Sequence, residues 1–192
     1  KASSDIKNNV RAKLQLEHNQ KMVVAVGRND VQKDYPNMLN AISLLPSMEN
    51  FKLFIVGYDV EELQTEIVKL GISNNVELLG LRKDVDQLMA AADILLMSSA
   101  WEGLPIVIGE AMASECNIVT TDAGGCKEWL TRSEAPVPVK NSQALADALQ
   151  SKLALSDEDL IIIGKANRNH IVQQFSLAGI VAKWDAMYNG NF

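Results

Sequence analysis

Cysteine is scarce in this chain of 192 residues, which contains only Cys116 and Cys126. Two cysteines cannot form a disulfide framework, and their spacing does not match a zinc site. Long apolar runs are also missing, because the strongly apolar stretch from Leu88 to Met97 is interrupted by Asp93 and falls short of the ~20 residues that a spanning helix needs. No apolar signal region follows the first residues. These absences predict reduced thiols, no transmembrane segment and a cytoplasmic location.

A basic block is absent as well. The chain has 18 Lys and Arg residues against 24 Asp and Glu residues, which gives a net charge of −6. An acidic chain without clustered cations is a poor candidate for general nucleic-acid binding, so no nucleic-acid partner is expected. The hydrophobic fraction of 47% and the charged fraction of 22% are instead typical of one globular domain.

Five short apolar runs predict buried β-strands. They are Met22–Val26, Phe51–Val56, Val76–Leu79, Ile94–Met97 and Ile118–Thr121. Each run is nearly continuous rather than alternating, as in strands that are buried on both faces. Helical patterns fill the gaps between the runs. Strands that alternate with helices predict an α/β fold, with a Rossmann-like parallel sheet and helices on both faces.

The two ends of the chain differ from this alternation. Residues 1–20 are expected to form a linker arm with a helix around Val10 to Leu16, and residues 21–192 to form the Rossmann-like domain. The last third is expected to be helical, with helix starts at Ser156 and Ser176. The final helix carries an apolar side that is expected to be a packing stripe. Its members are Leu177, Ile180, Val181, Trp184 and Tyr188.

One segment carries much of the chemical information. Residues 98–113 follow a predicted strand and open a predicted helix, and Pro105 fits the first helical turn, where its missing N–H costs nothing. The unpaired amides of that turn can bind a phosphate or a sugar hydroxyl. Glu102 lies in the loop, whereas Glu110 lies inside the helix and can accept two hydrogen bonds from a ribose diol. Two glutamates alone are more typical of ordinary surface charges, but the flanking Gly-Leu-Pro and Glu-Ala-Met-Ala segments favour a binding site.

A second candidate anion site follows the first strand. Arg28 and Lys33 leave its carboxyl end and can converge on one anion, as a planar fork and a point charge suited to a diphosphate. Two solvated loop cations are the alternative interpretation. The chain contains neither the GxGxxG fingerprint nor a P-loop, which disfavours an NAD-binding domain.

Taken together, these segments resemble the retaining glycosyltransferases of the GT-B fold, family 4. The resemblance extends over essentially the whole chain, from about Arg11 to Tyr188, and includes a Glu-x7-Glu signature. It implies the C-terminal, nucleotide-sugar-binding domain of such an enzyme. The matching residues are Gly27, Arg28, Lys33, Glu102 to Pro105, Glu110 to Ala113, Thr121 to Gly125 and Glu128.

The resemblance implies roles for several of the matched positions. Arg28 and Lys33 correspond to the cations that hold the donor diphosphate. Glu110 corresponds to the carboxylate on the nucleotide ribose, and Glu102 to the glutamate beside the transferred sugar. The implied catalytic residues are Glu102, Arg28 and Lys33. The implied donor-binding residues are Gly27, Arg28, Lys33, Gly80, Leu81, Arg82, Glu102, Gly103, Leu104, Pro105, Ile106, Val107 and Glu110.

The implied donor is a nucleoside-diphosphate sugar, used with no cofactor and no metal. The implied reaction moves a hexose-type sugar, with retention, to an acceptor hydroxyl in polysaccharide or glycolipid synthesis. The implied partner is an N-terminal acceptor domain of a parent chain, through which the enzyme can touch the inner face of the membrane. This chain alone is then expected to bind donor without transferring sugar. The alternatives are a GT-B-fold nucleotide-sugar epimerase and a non-catalytic nucleotide-sugar-binding module.

One departure from the family pattern follows Ala113. The family usually has a small residue, glycine, any residue and proline at this point, whereas this chain has Ser114-Glu115-Cys116-Asn117. We expect the departure to alter the end of the helix, away from the donor residues.

Overall fold

The computed structural model describes residues 4–46, 50–131 and 134–190. Five parallel strands form one sheet in the order β3-β2-β1-β4-β5. Each strand lies within one residue of its predicted bounds, so the predicted α/β class and the parallel sheet are confirmed. The strands are β1 (Lys21–Val26), β2 (Phe51–Val56), β3 (Val76–Gly80), β4 (Ile94–Met97) and β5 (Asn117–Thr120).

Helices connect the strands and form the last third of the described chain. None of the described helices combines the length and the apolar composition that crossing a bilayer requires. A short 3₁₀ turn, Val60–Leu63, leads into the third helix. The helices are α1 (Ser4–Lys13), α2 (Tyr35–Ser43), α3 (Gln64–Lys69), α4 (Val85–Ala91), α5 (Ile106–Ala113), α6 (Cys126–Trp129), α7 (Ser142–Leu153), α8 (Asp157–Phe175) and α9 (Leu177–Tyr188).

Both faces of the sheet are buried, as the continuous apolar runs predict. In β1, Val23 and Ala25 face one core, while Met22 and Val24 face the other. Helices α2, α3 and α7 cover the first face, and α1, α4, α5 and α8 cover the second. The connection from β1 therefore leaves toward one face and the connection from β4 toward the other. A crevice opens at the carboxyl ends of these neighbouring strands, where α/β sheets bind ligands.

The first helix is held at the opposite, amino edge of the sheet. Asp93 accepts hydrogen bonds from Lys7 Nζ at 2.9 Å, from Arg11 Nη1 at 2.9 Å and from the Met22 amide at 2.8 Å. Burial raises the pKa of Asp93, but the charges of Lys7 and Arg11 outweigh it and hold that pKa below its usual value. The predicted position of the helix was wrong by several residues, because α1 ends at Lys13 and Gln15 adopts a left-handed φ of 51°.

The segment that departs from the family pattern, Ser114 to Asn117, follows α5 and caps the end of that helix with backbone hydrogen bonds. Glu115 adopts a left-handed φ of 69°, the conformation that glycine usually supplies there. The Glu115 amide donates to the Met112 carbonyl at 3.1 Å, and the Cys116 amide donates to the Ala111 carbonyl at 3.0 Å. These two bonds are the Schellman pattern, so the helix end keeps its hydrogen bonds without a glycine.

Both cysteines are buried and free. The Cys116 thiol donates to the Met89 carbonyl at 3.0 Å, and burial raises its pKa to about 12. Burial also raises the pKa of the Cys126 thiol. Both thiols therefore have structural surroundings rather than those of a reactive nucleophile.

The last helix does not pack as its pattern predicts. Ser176 caps α9 as expected, because its Oγ accepts from the Gly179 amide at 3.3 Å. None of the described residues of α9 is buried, however, and Trp184 is 51% exposed. The prediction of a packed stripe was therefore wrong within the part of the chain that the structure describes. An amphipathic pattern establishes an apolar face, but not what covers it.

Candidate functional site

The loops after β1 and β2 meet at the carboxyl edge of the sheet. The Gly27 amide donates to the Val56 carbonyl at 2.9 Å, and the Tyr35 hydroxyl donates to the Gly27 carbonyl at 2.9 Å. A Cβ at Gly57 would collide with the same Gly27 carbonyl oxygen. The glycine at the end of β2 therefore allows the close approach that fixes the start of the Arg28–Lys33 loop.

Lys33 and Glu102 meet across the crevice. Lys33 comes from the loop after β1, and Glu102 from the loop after β4. Lys33 Nζ lies 2.7 Å from Glu102 Oε1, and the two side chains are only 17% and 9% exposed. The structure thus brings together two of the three residues with an implied catalytic role. A charge pair this well shielded from water is held more firmly than a surface ion pair.

Two further side chains bind the same carboxylate, and neither was predicted from the sequence. Ser99 Oγ donates to Glu102 Oε1 at 2.8 Å, and Gln32 Nε2 lies 3.2 Å from Glu102 Oε2. Ser99 is itself fixed, since its carbonyl accepts from the Thr121 hydroxyl at 2.6 Å. The only sequence signal was proximity, because Gln32 precedes Lys33 and Ser99 lies three residues before Glu102.

The loop after β5 packs against the backbone of Glu102 and Gly103. Gly124 has a left-handed φ of 71°, and a Cβ there would collide with the Glu102 carbonyl oxygen. The next amide, that of Gly125, donates to the Gly103 carbonyl at 3.0 Å. The Gly124-Gly125 pair therefore supports the site through its backbone, and glycine is needed at Gly124 both for its left-handed φ and for the close approach to Glu102.

Arg28 lies apart from the buried pair. Its side chain is 66% exposed and forms an ion pair with Asp30, whose other oxygen accepts from the Lys33 amide at 3.0 Å. Burial raises the pKa of Asp30, but the bonds from Arg28 and Lys33 outweigh it and lower that pKa. Arg28 is therefore positioned at the rim of the crevice rather than in its floor.

Helix α5 presents the remaining predicted residues. It begins at Ile106, so Pro105 precedes the first turn instead of lying within it, one residue from the predicted position. The first amides of an α-helix lack intrahelical partners, and the start of α5 follows directly on the loop that carries Glu102. Glu110 lies one turn further on and is exposed.

Three of the implied donor-binding residues, Gly80, Leu81 and Arg82, lie at the end of β3 and just after it. Gly80 has a left-handed φ of 63° and accepts from the Gly57 amide at 3.0 Å, and Leu81 is 76% exposed. Arg82 forms a two-pronged ion pair with Asp84, at 2.8 and 2.7 Å. The hydrogen bond from Arg82 lowers the pKa of Asp84. The guanidinium of Arg82 thus binds a carboxylate within its own loop.

Comparison with known proteins bears on this site. Lipopolysaccharide glucosyltransferase WaaG of Escherichia coli K12 is 32% identical over 62% of this chain and 33% of its own length. Lipopolysaccharide core biosynthesis glycosyltransferase LpsE of Rhizobium meliloti is 28% identical over 88% of this chain and 50% of its own. The chain thus spans a third to a half of the length of these curated relatives.

A solved structure shows the same architecture. Anabaena HepE, crystallised in complex with UDP and glucose, matches with a TM-score of 0.85 and 26% identity. The match covers 98% of this chain and 53% of that one. A family model described as glycosyl transferases group 1 matches residues 6–170, which include every residue of the candidate site. The chain therefore belongs to the group 1 family of glycosyl transferases.

Proposed function

We propose that this chain is the nucleotide-sugar-binding, C-terminal part of a retaining GT-B glycosyltransferase of family 4. The donor is a nucleoside-diphosphate hexose, and the acceptor is a hydroxyl of a growing polysaccharide or glycolipid. The observation that carries the proposal is the largely shielded Lys33–Glu102 pair in the crevice between β1 and β4. The names of its relatives support the acceptor class, since two of them act in lipopolysaccharide synthesis.

The diphosphate lies, in this proposal, against Lys33, Arg28 and the first amides of α5. The Lys33 ammonium has three donors, of which Glu102 takes one, so others remain for phosphate oxygens. Arg28 is exposed beside the crevice and can add a planar fork. As the bond to the sugar breaks, negative charge grows on the bridging oxygen. Each preorganised donor to that charge typically lowers the barrier by about 3–4 kcal/mol.

Glu102 has a different part in the reaction. Its two oxygens accept hydrogen bonds from Lys33, Ser99 and Gln32. The positive charge of Lys33 therefore balances that of the carboxylate, and the three bonds hold it in one orientation. Such a group is suited to accept a hydrogen bond from a sugar hydroxyl rather than to attack the anomeric carbon. The donor C–O bond to phosphate then breaks while the acceptor oxygen bonds to the same face of the sugar. The acceptor proton passes to the departing phosphate oxygen.

The acceptor lies, in this proposal, on another part of a longer protein. The match to about half of HepE and LpsE supports this division. Donor binding then belongs to this chain, whereas transfer requires the N-terminal acceptor-binding part, working at the cytoplasmic side of the membrane. We expect the isolated chain to bind donor and to transfer little or no sugar.

A calorimetric screen tests the proposal directly. The chain is titrated with UDP, GDP and ADP and with the corresponding sugar nucleotides, without added metal. We expect one base to bind clearly more tightly than the other two. Binding to none of them would contradict the proposed function, and robust transfer by this chain alone would contradict the division of labour.

A further inference from the structure

We infer that Gln32 is the positioning residue that aims the Glu102 carboxylate at the sugar of the donor. The inference rests on the proposed function and deepens it, because it makes Gln32 the residue that keeps Glu102 oriented once the donor is bound. Gln32 lies in the loop after β1, whereas Glu102 lies in the loop after β4. A side chain on the first loop thereby sets the orientation of the Glu102 carboxylate on the second loop.

Gln32 holds the Glu102 loop by three contacts. Its carbonyl accepts from the Ala100 amide at 2.8 Å. Its side-chain Nε2 donates to the Trp101 carbonyl at 3.1 Å and lies 3.2 Å from Glu102 Oε2. The same amide group therefore fixes both the backbone before Glu102 and the carboxylate itself. A side chain serving only to join two loops would not need to reach the carboxylate.

The two oxygens of Glu102 have different partners, and this difference gives Gln32 its importance. Oε1 accepts from Lys33 and Ser99, whereas Oε2 accepts from Gln32. When a diphosphate binds, the ammonium of Lys33 is shared between phosphate oxygens and Glu102. The neutral amide of Gln32 has far less attraction for phosphate, so its bond to Oε2 persists. The orientation of the carboxylate then depends on Ser99 and Gln32.

The type of side chain is as informative as its position. An amide supplies N–H donors without charge, so it can hold a carboxylate without competing with Lys33 for the diphosphate. Methionine has a similar length and no N–H donor. Glutamate has the same shape, but places a second carboxylate beside Glu102 until one of the two is protonated. Gln32→Met therefore removes both side-chain hydrogen bonds, to the Trp101 carbonyl and to Glu102, and Gln32→Glu makes the bond to Glu102 dependent on pH.

The experiment compares dissociation constants for UDP and UDP-glucose, or for the GDP or ADP counterparts if the screen selects that base. The measured quantity is the ratio of the dissociation constant for UDP to that for UDP-glucose, which is the gain in affinity that the sugar provides. We expect Gln32→Met to reduce this gain about tenfold, as expected for a lost hydrogen bond to a charged group, and to change UDP affinity by less than about twofold. The matched control is Gln143→Met, because Gln143 is exposed on α7 and bonds only Asp147 among the described residues.

Gln32→Glu supplies a readout that a purely structural role would not move. We expect the sugar-dependent gain to be lost near neutral pH and to recover toward about pH 5, where a protonated carboxyl can donate to Glu102. Parent chain measured at both pH values is the reference. Should Gln32→Met unfold, this comparison carries the test, because both measurements use one folded variant.

The outcomes separate the two proposals. If the parent binds no nucleoside diphosphate, the proposed function fails and Gln32 has no donor sugar to serve. If the parent binds UDP but gains nothing from the sugar, or if Gln32→Met weakens UDP and UDP-glucose equally or not at all, Gln32 is not a positioning residue. The proposed donor binding stands in those cases.

Discussion

Lys33 and Glu102 are 69 residues apart in the chain, yet their side chains form a 2.7 Å ion pair on the floor of the crevice. The pair joins the group implied to hold the diphosphate to the group implied to contact the sugar. Donor binding must therefore redistribute the hydrogen bonds of one lysine. This coupling makes opposite predictions for the two partners.

Removal of the lysine should weaken binding of the nucleoside diphosphate. We expect Lys33→Met to lower UDP affinity by about 10- to 100-fold, the effect of one or more lost charge-assisted hydrogen bonds. Calorimetry measures the change, and a thermal melt checks that the variant is folded. Lys69→Met is the control, because Lys69 is an exposed lysine paired with Glu66 on α3. Unchanged UDP affinity in Lys33→Met would remove Lys33 from the phosphate site.

Neutralisation of the glutamate should act in the other direction on the same ligand. We expect Glu102→Gln to raise UDP affinity by about fivefold, or ~1 kcal/mol, because Lys33 no longer has an anionic partner to leave. The gain from the sugar should fall at the same time. Paired titrations with UDP and UDP-glucose measure both effects. Weaker UDP binding would show that Glu102 helps to hold Lys33 toward phosphate instead of competing for it.

The ribose prediction concerns Glu110, which is exposed on α5. We expect Glu110→Ala to weaken UDP by about tenfold, whereas the affinity for 2′-deoxy-UDP changes much less, because only the full diol can occupy both carboxylate oxygens. Glu158→Ala on α8 is the control, since Glu158 is exposed on a helix that lies away from the crevice. Equal losses for the two nucleotides would place Glu110 away from the ribose.

The attachment of α1 should depend on pH through Asp93. Because the folded-state pKa of Asp93 is lowered, its ionised form stabilises the fold above the unfolded pKa, and that stability is lost as pH falls through the folded pKa. We expect Asp93→Asn to cost about 3 kcal/mol of unfolding free energy near neutral pH. The difference from the parent should shrink below about pH 4.

Urea titrations at several pH values measure this difference. Asp185→Asn on α9 serves as the control, because Asp185 is exposed. A difference that stays constant down to the acid limit would show that the Asp93 side chain acts through its shape rather than its charge.

The contact of α8 with the turn after α5 should tolerate no side chain. A Cβ at Gly164 would collide with the Glu115 carbonyl oxygen, which belongs to backbone held by the Schellman bonds. We expect Gly164→Ala to lower the unfolding free energy by about 1–3 kcal/mol, in spite of the better helix propensity of alanine. Lys165→Ala, at the exposed neighbouring position, is the matched control in urea titrations. A stabilised Gly164→Ala would mean that the two backbones can separate.

Local sequence patterns predicted the sheet well and the two terminal helices less well. The strands were recognisable because burial on both faces leaves a continuous apolar run that ends at glycine or a small polar residue. Helix α1 was misplaced because it is held by ion pairs of Lys7 and Arg11 with Asp93, more than 80 positions away. The apolar face of α9 was wrongly predicted to be packed, because the spacing of apolar residues identifies an apolar side of a helix but not the element that covers it.

The α/β class, the strands and the family motifs that contain Arg28, Lys33, Glu102 and Glu110 could all be recognised in the amino-acid sequence. Each of these features depends on neighbouring residues or on residues at a fixed spacing in the chain. Three contacts became visible only in the folded chain. Lys33 pairs with Glu102, Gln32 and Ser99 complete the hydrogen bonds of that carboxylate, and Arg28 stays at the rim. The reason is the topology of the sheet. The order β3-β2-β1-β4-β5 makes neighbours of two strands that are distant in the chain, and hydrogen bonds across their carboxyl ends leave no trace in local sequence.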